Sequence, residues 1–173
     1  PGRARWCGSV PRLVPHGTGG HLRDRKGPHS PCWGAVPSAE NALDRLLPYQ
    51  VADTGMFLQV VDRADLTGNY SETSGSAWSP TPDEGCTAGD AAPEYGEKGS
   101  RVLDGIRDTY LKKGEQGWEL HGICASAGLG PGPDNRTDRT GTPEYYLSEK
   151  QMVDNQHGAA ACMMAVSEQL RRA

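Results

Sequence analysis

Several side chains able to bind a ligand or move a proton stand close together between residues 62 and 76. Asp62 and Asp65 are carboxylates of the kind that act as general acids or bases, and they follow the apolar run MFLQVV. The stretch GNYSETSGS then brings Tyr70, Glu72 and Ser74 together. These three either line a binding site or cap and pack the start of a helix. For the two aspartates, a place in a connecting loop is the competing interpretation.

A second set of candidates lies nearer the end of the chain. His121 precedes the small-residue run GICASAGLG, where a structural histidine and a ligand-binding one are both possible. Tyr145 and Tyr146 offer rings that either stack on a ligand or pack in a core. Arg136 and Arg139 carry guanidinium groups suited to a carboxylate ligand, with a solvated loop as the alternative.

The cysteines and histidines predict no metal site. The segment that holds Cys7, His16, His21, His29 and Cys32 has spacings that match no compact zinc-ligand pair. The five cysteines of the chain are irregularly spaced, so a disulfide framework is not expected. Reduced thiols favour a cytoplasmic or otherwise reducing setting.

The composition limits both the fold and the partners. The chain has 173 residues, of which only 35% are apolar, and it contains 23 glycines and 13 prolines. This composition is typical of a partly irregular or incomplete globular unit. The net charge of −4 favours neither nucleic acid nor an anionic membrane as partner. No apolar run approaches the roughly 20 residues that span a bilayer.

Helical periodicity begins only after residue 36. Residues 1–36 mix Gly, Pro, Arg and His without a period, which indicates a disordered or otherwise irregular segment. SAENALDRLLPYQ predicts a helix that Ser38 caps and that Pro48 ends or kinks, with Ala42, Leu43, Leu46 and Leu47 on one apolar face. MFLQVVD predicts a short strand or an extended buried segment.

Two further helices are predicted downstream. SRVLDGIRDTYLKK predicts a helix with Ser100 as its cap, two lysines in its last turn and Gly114 as its stop. Residues 153–172 predict another helix, whose small residues allow its backbone to approach a neighbour closely. A long polar loop, residues 128–143, separates the two. The chain is therefore expected to be all-α, with helices joined by long loops.

Three blocks, in this order along the chain, resemble the C-terminal part of the unsaturated rhamnogalacturonyl hydrolases. That glycoside hydrolase family is related to the unsaturated glucuronyl hydrolases. The blocks are GMFLQVVDRADLTGNYSETSGSA, PEYGEKGSRVLDGIRDTYL, and LHGICASAGLG with the later TPEYYLSEKQMVDNQHGAAACMMAVSE. They are similar to the family's G-x-W-x-Q-V-x-D turn, its G-N-Y-x-E-x-S-x-S-A-M helix start and its E-Y-Y-x-S-E turn before the last helix.

The resemblance implies an (α/α)6 barrel of the six-hairpin glycosidase type, with the active site where the inner helices begin. In that family an aspartic acid protonates the C4=C5 double bond of a 4,5-unsaturated uronic acid. Water then adds at C5, and the resulting hemiketal breaks down and releases the next sugar. The implied partner is an unsaturated uronic-acid oligosaccharide, such as the unsaturated galacturonyl-rhamnose units left by lyases in pectin degradation. The resemblance implies neither a metal nor an organic cofactor.

The resemblance also places the candidate residues. The family's acid aspartate and stacking tryptophans fall upstream of this chain or within its first 36 residues, so no catalytic residue is assigned. Tyr70, Glu72, Ser74 and Ser76 begin what the resemblance implies is an inner helix and are expected to point toward the barrel mouth. Tyr145 and Tyr146 resemble the turn before the last inner helix. The predicted substrate-binding residues are Tyr70, Glu72, Ser74, His121, Tyr145 and Tyr146.

Residues 78 to about 91 depart from the family's pattern. Where the family continues a helix after SGSA, this chain reads WSPTPDEGCTAGDAAP. Suitable synonymous codons for this segment, read in neighbouring frames, encode MVTYA and LMRAARLGM, which restore an apolar helical period. We therefore hypothesise out-of-frame translation at 78–91, and the same for residues 1–36. The predicted domains are 1–36, irregular, and 37–173, the C-terminal part of an incomplete barrel interrupted at about 78–91.

This organisation predicts a fragment of a glycoside hydrolase that is inactive on its own. Part of a barrel that lacks its acid and leaves helix ends unpaired is expected to be marginally stable or unfolded. The sequence does not fix the oligosaccharide, the oligomeric state or the localisation. The alternative function is a non-catalytic helical module that binds carbohydrate or another protein.

Overall fold

The computed structural model describes residues 43–78, 93–130 and 135–172. Residues 43–46 form α1, which continues into the 3-10 helix Leu47–Tyr49. The other helices are α2 (Thr73–Trp78), α3 (Pro93–Tyr110), α4 (Pro143–Ser148) and α5 (Gln156–Arg172). Two antiparallel pairs, β1 (Leu111–Lys113) with β2 (Trp118–Leu120) and β3 (Ile123–Cys124) with β4 (Gln151–Met152), add short strands to the expected helical framework.

The first ordered segments follow the sequence pattern. Leu43 and Leu46 are buried, which confirms the apolar face predicted for the first helix. Met56, Phe57 and the residues around them form an extended buried segment with a single isolated bridge, from Leu58 to Ser71. Of the two predictions for MFLQVVD, the extended buried segment is therefore confirmed.

The predicted ends of α3 are wrong at both sides. The helix begins at Pro93, and Ser100 lies inside it, where its Oγ donates to the Gly96 carbonyl at 3.1 Å. At the other end, Leu111 leaves the helix and pairs with Leu120 in the β1–β2 hairpin. The last carbonyl groups of a helix have no hydrogen-bond partner within the helix. The β1–β2 hairpin gives the backbone after Tyr110 such partners, so it takes the place of a last helical turn.

Three helices enclose the main core. Met56, Phe57 and Ile106 pack with alanines of α2 and α5 in one buried cluster. The small residues of α5 allow close contact, as predicted. A side chain at Gly158 would place its Cβ 2.5 Å from the Ile123 Cδ1 atom. α2 is consequently held between α3 and α5.

A second buried cluster joins the remaining elements. It contains Val60, Cys124, Ala127, Tyr145 and Tyr146, so β3 and α4 pack against the end of the extended segment. The Ser38 cap and the irregular segment 1–36 lie outside the described residues. The hypothesised out-of-frame segment begins at Trp78, the last residue of α2, and residues 79–92 are likewise outside them. Within the described ranges, no helix is long and apolar enough to cross a membrane.

Candidate functional site

A buried carboxylate organises the start of α2. Glu72 is 1% exposed. Its Oε1 accepts hydrogen bonds from Ser74 Oγ at 2.7 Å and from the Cys124 backbone N–H at 2.9 Å. Its Oε2 accepts from the Gly75 N–H at 2.5 Å. Glu72 thus caps the first turn of α2, since it satisfies an N–H that has no partner within the helix.

The same helix start is tied to two distant segments. The Glu72 N–H donates to the Phe57 carbonyl at 2.9 Å, and the Phe57 N–H donates to Ser76 Oγ at 2.8 Å. From the other side, the Thr73 N–H donates to the Gly122 carbonyl at 2.9 Å. Backbone and side-chain hydrogen bonds therefore lock α2 between the extended segment and the chain that leads into β3. We call this arrangement the Glu72 junction.

Tyr70 and Gln59 stand beside the junction. Gln59 Nε2 donates to Cys124 Sγ at 3.4 Å, and the Gln59 N–H donates to the Tyr70 carbonyl at 2.8 Å. The buried atoms Gln59 Oε1 and Tyr70 Oη have no hydrogen-bond partner among the described residues. Burial raises the pKa of Tyr70, and the nearby Cys124 thiol and Glu72 carboxylate add to the effect. The phenol therefore stays protonated at any ordinary pH.

His121 lies at the edge of the site as a structural histidine would. Its Nε2 lies 3.1 Å from Glu119 Oε2, and its carbonyl accepts a hydrogen bond from Thr73 Oγ1 at 2.7 Å. Its N–H donates to the Tyr110 carbonyl at 3.0 Å. His121 thus joins the β1–β2 hairpin to α2, through both its backbone and its ring.

Tyr145 and Tyr146 lie in the second cluster. Their ring centroids are 5.2 Å apart at an angle of 51°, and both residues are buried. Tyr145 Oη accepts a hydrogen bond from the Gly128 N–H at 3.1 Å. Burial raises the pKa of Tyr145, which keeps its hydroxyl protonated. The Thr142 Oγ1 atom caps α4 by accepting from the Tyr145 N–H, and that cap fixes both rings.

The loop arginines are engaged within the protein. Arg136 Nη2 lies 2.6 Å from Asp138 Oδ2 and 2.9 Å from Glu149 Oε1. For Glu149 the hydrogen-bond geometry is met by the other pair of atoms, Arg136 Nη1 and Glu149 Oε2, at 3.2 Å. Arg139 is half-buried beside Gly128. Arg136 thus meets two carboxylates of its own chain, one of them buried.

The two candidate aspartates lie in a tight connection, as the loop interpretation predicted. Arg63 Nη2 lies 2.7 Å from Asp65 Oδ2 on the surface, and Asp62 is half-buried in the same turn. Asn69 closes the connection. Its amide accepts from the Val60 N–H at 3.1 Å and donates to the Arg63 carbonyl at 2.9 Å.

The structure brings part of the predicted site together. Glu72, Ser74 and Tyr70 meet around Cys124, which also belongs to the tyrosine cluster. His121 reaches this group through Thr73, whereas the arginines belong to a separate loop network. Sequence reasoning missed Gln59 and Cys124 as members, although both stand in the motifs MFLQVVD and GICASAGLG. Their placement side by side was the missing information.

The arrangement can anchor and orient more readily than it can transfer a proton. The Glu72 carboxylate accepts three hydrogen bonds and is shielded from solvent. Among the described residues, no group of His, Cys, Asp and Glu side chains is placed to hold a metal ion. Cys124 and Cys162, the cysteines among the described residues, take part in no disulfide bond.

The fold defines the class of protein. Over 82% of this chain and 39% of the other, the structure superposes with a TM-score of 0.68 on a family 105 glycoside hydrolase of C. acetobutylicum, at 24% identity. Over this range the chain therefore shares part of the fold of a glycoside hydrolase. Residues 35–173 match the model of glycosyl hydrolase family 88. The chain belongs to that family.

Two curated bacterial proteins are similar to this chain. Protein Atu3128 of Agrobacterium fabrum and a 24.9 kDa protein in the picA locus of Rhizobium radiobacter are each 38% identical to it over 122 residues. Each match covers 67% of this chain and 52% of the relative. The chain thus spans about half the length of the curated relatives it matches.

Proposed function

We propose that this chain forms the C-terminal wall of a glycoside hydrolase barrel that acts on 4,5-unsaturated uronides. The family match over residues 35–173 supports the hydrolase class. The observation that carries the proposal is the Glu72 junction, in which the family-like segments GNYSETSGSA and GICASAGLG meet through the Glu72 carboxylate and the Cys124 N–H. Segments that the resemblance relates to the barrel mouth are therefore joined in space.

The proposed reaction is hydration of the double bond of an unsaturated galacturonyl-rhamnose unit. A carboxylic acid delivers a proton to C4, water adds at C5, and the hemiketal then opens and releases rhamnose. The described residues contribute rigid walls, and the proton donor is supplied from outside them. Tyr70, with its buried hydroxyl, and the Tyr145–Tyr146 pair are the proposed substrate-facing groups of this wall.

The test uses the gene and its product together. If the hypothesis of out-of-frame segments holds, the nucleotide sequence read in neighbouring frames contains the peptides MVTYA and LMRAARLGM. The full-length product of the gene, translated in the restored frame together with the upstream part in which the resemblance places the acid aspartate, is then expected to consume unsaturated galacturonyl-rhamnose, seen as loss of the double-bond absorbance. A folded, restored protein that leaves every unsaturated uronide intact would overturn the proposal, and the saturated disaccharide is the matched control.

A second candidate is a non-catalytic carbohydrate-binding module. The observation in its favour is the state of Glu72, whose carboxylate is fully engaged by donors and presents no acid to a substrate. Saturable binding of an unsaturated uronide without turnover, together with cooperative unfolding of the chain, would favour this candidate over the first.

A further inference from the structure

An exposed tryptophan lines a shallow groove beside the β1–β2 hairpin, and Glu119 of the same lining lies 3.1 Å from the His121 ring. Trp118 is 63% exposed, which is unusual for the largest apolar side chain. The groove has a volume of about 390 Å³, within the range of about 300 to 1,000 Å³ that small-molecule sites occupy. Its lining is formed by Glu115, Gln116, Gly117, Trp118, Glu119 and Asp154.

The hairpin holds this groove in a defined shape. Lys113 pairs with Trp118 across the strands, and the Gly114 N–H donates to the Gly117 carbonyl at 2.7 Å to close the turn. Asp154, which also lines the groove, is fixed to Leu120 by two hydrogen bonds. Its Oδ1 accepts from the Leu120 N–H at 2.8 Å, and its own N–H donates to the Leu120 carbonyl at 2.9 Å. The groove therefore exists before any ligand arrives.

The chemistry of the lining selects a class of ligand. An exposed indole ring offers a flat apolar face for the C–H face of a sugar ring, and carboxylate and amide oxygens accept hydrogen bonds from hydroxyl groups. Glu115, Glu119 and Asp154 give the groove negative charge, which disfavours an anionic uronate. The Lys113 ammonium already lies 5.4 Å from the Trp118 ring centroid, so a cationic ligand would compete with it.

We propose that the Trp118 groove is a secondary binding site for a neutral saccharide. The choice of a saccharide rests on the proposed function as well as on this chemistry. The site would hold an uncharged stretch of the polymer or oligosaccharide. Trp118 acts as the stacking platform, and Glu115 and Gln116 accept hydrogen bonds from the sugar hydroxyls.

The experiment is titration calorimetry of the full chain with galactotetraose, a neutral probe. Trp118→Ala is expected to lower the affinity at least tenfold, whereas Trp118→Phe keeps it within about threefold because a ring remains to stack. Glu97→Gln, an exposed change on α3, serves as the matched control. Circular dichroism of each variant verifies that the fold is retained, which is expected because Trp118 is exposed.

Three results would overturn the proposal. The first is that the folded wild-type chain does not bind galactotetraose. The second is that Trp118→Ala binds it as tightly as wild type. The third is that the groove binds tetramethylammonium in preference to the sugar. None of these results bears on the proposed function, which is tested separately by turnover of an unsaturated disaccharide. Conversely, an absence of turnover would leave the prediction of sugar binding at Trp118 unchanged.

Discussion

Replacing Glu72 by glutamine tests whether its carboxylate holds the junction together. The carboxylate accepts from Ser74 Oγ and the Cys124 N–H on one oxygen and from the Gly75 N–H on the other. Glutamine keeps only one acceptor oxygen, and its NH₂ group then faces a donor. The change is nearly isosteric, so its effect comes from hydrogen bonding and charge rather than from a cavity.

The expected cost follows from the burial of the site. A buried donor left without a partner costs about 1 to 3 kcal/mol, and the surviving bonds lose the charge that strengthens them. We expect the free energy of unfolding to fall by about 3 kcal/mol. For a chain of this size that corresponds to a melting temperature lower by about 6 to 12 °C.

The assay is thermal and urea unfolding of the full chain, followed by far-ultraviolet circular dichroism. Glu97→Gln makes the same chemical change at an exposed position of α3, where an effect within about 0.5 kcal/mol is expected. If Glu72→Gln and Glu97→Gln unfolded together, the carboxylate would not organise the junction and the reasoning would be refuted.

Three further predictions concern packing, charge and pH. Gly105→Ala directs a Cβ into the Thr54 carbonyl, and we expect urea unfolding to show a loss of about 1 to 3 kcal/mol; unchanged stability would contradict the contact. Arg136→Met leaves the buried Glu149 carboxylate without its cation, and we expect urea unfolding to show a lower stability, with Asp138→Asn as the milder control. Burial raises the pKa of Cys162 to about 11, with Glu72 adding to the effect. The unfolded chain therefore loses this proton first as the pH rises above about 9, and stability should fall by about 2 kcal/mol between pH 9 and 11. Cys162→Ala should lose that share of the alkaline dependence, and an equal dependence in both proteins would contradict it.

Local patterns predicted the helical framework well. The apolar face that includes Leu43 and Leu46 is buried as predicted, and the small residues of α5 make the close contact expected of them. These features depend on residues three or four positions apart, which a sequence displays directly. The loop position of Asp65 was one of the two interpretations that the sequence left open, and the structure shows it paired with Arg63 in a connecting turn.

Long-range pairing accounts for the errors at α3. The apolar stripe of the predicted helix continues through Leu111, so periodicity alone extends the helix. The helix ends instead because Leu111 pairs with Leu120. That partner lies in β2, on the far side of the hairpin turn, where helical periodicity gives no information. Ser100 illustrates a related problem, because a serine can bond to a carbonyl four residues back inside a helix as readily as it can cap one.

The sequence predicted which residues belong to the candidate site better than it predicted what each of them does. GNYSETSGS was identified as a helix start, with capping and site lining both open for Tyr70, Glu72 and Ser74, and the structure shows that the Glu72 side chain accepts the Gly75 N–H. The partner that fixes Glu72 in place, Cys124, is 52 residues away in the sequence. Substrate contact by Tyr70, Glu72, Ser74, His121, Tyr145 and Tyr146 stays a prediction.

Turnover by the chain itself tests the central claim most directly. The claim is that residues 1–173 supply the wall of a family 88 barrel and not its proton donor. The purified chain is incubated with unsaturated galacturonyl-rhamnose, and the double-bond absorbance is followed against buffer alone. We predict no loss of absorbance beyond that of buffer. Turnover that scales with the concentration of the chain would contradict the account, because it would place the catalytic acid within this sequence.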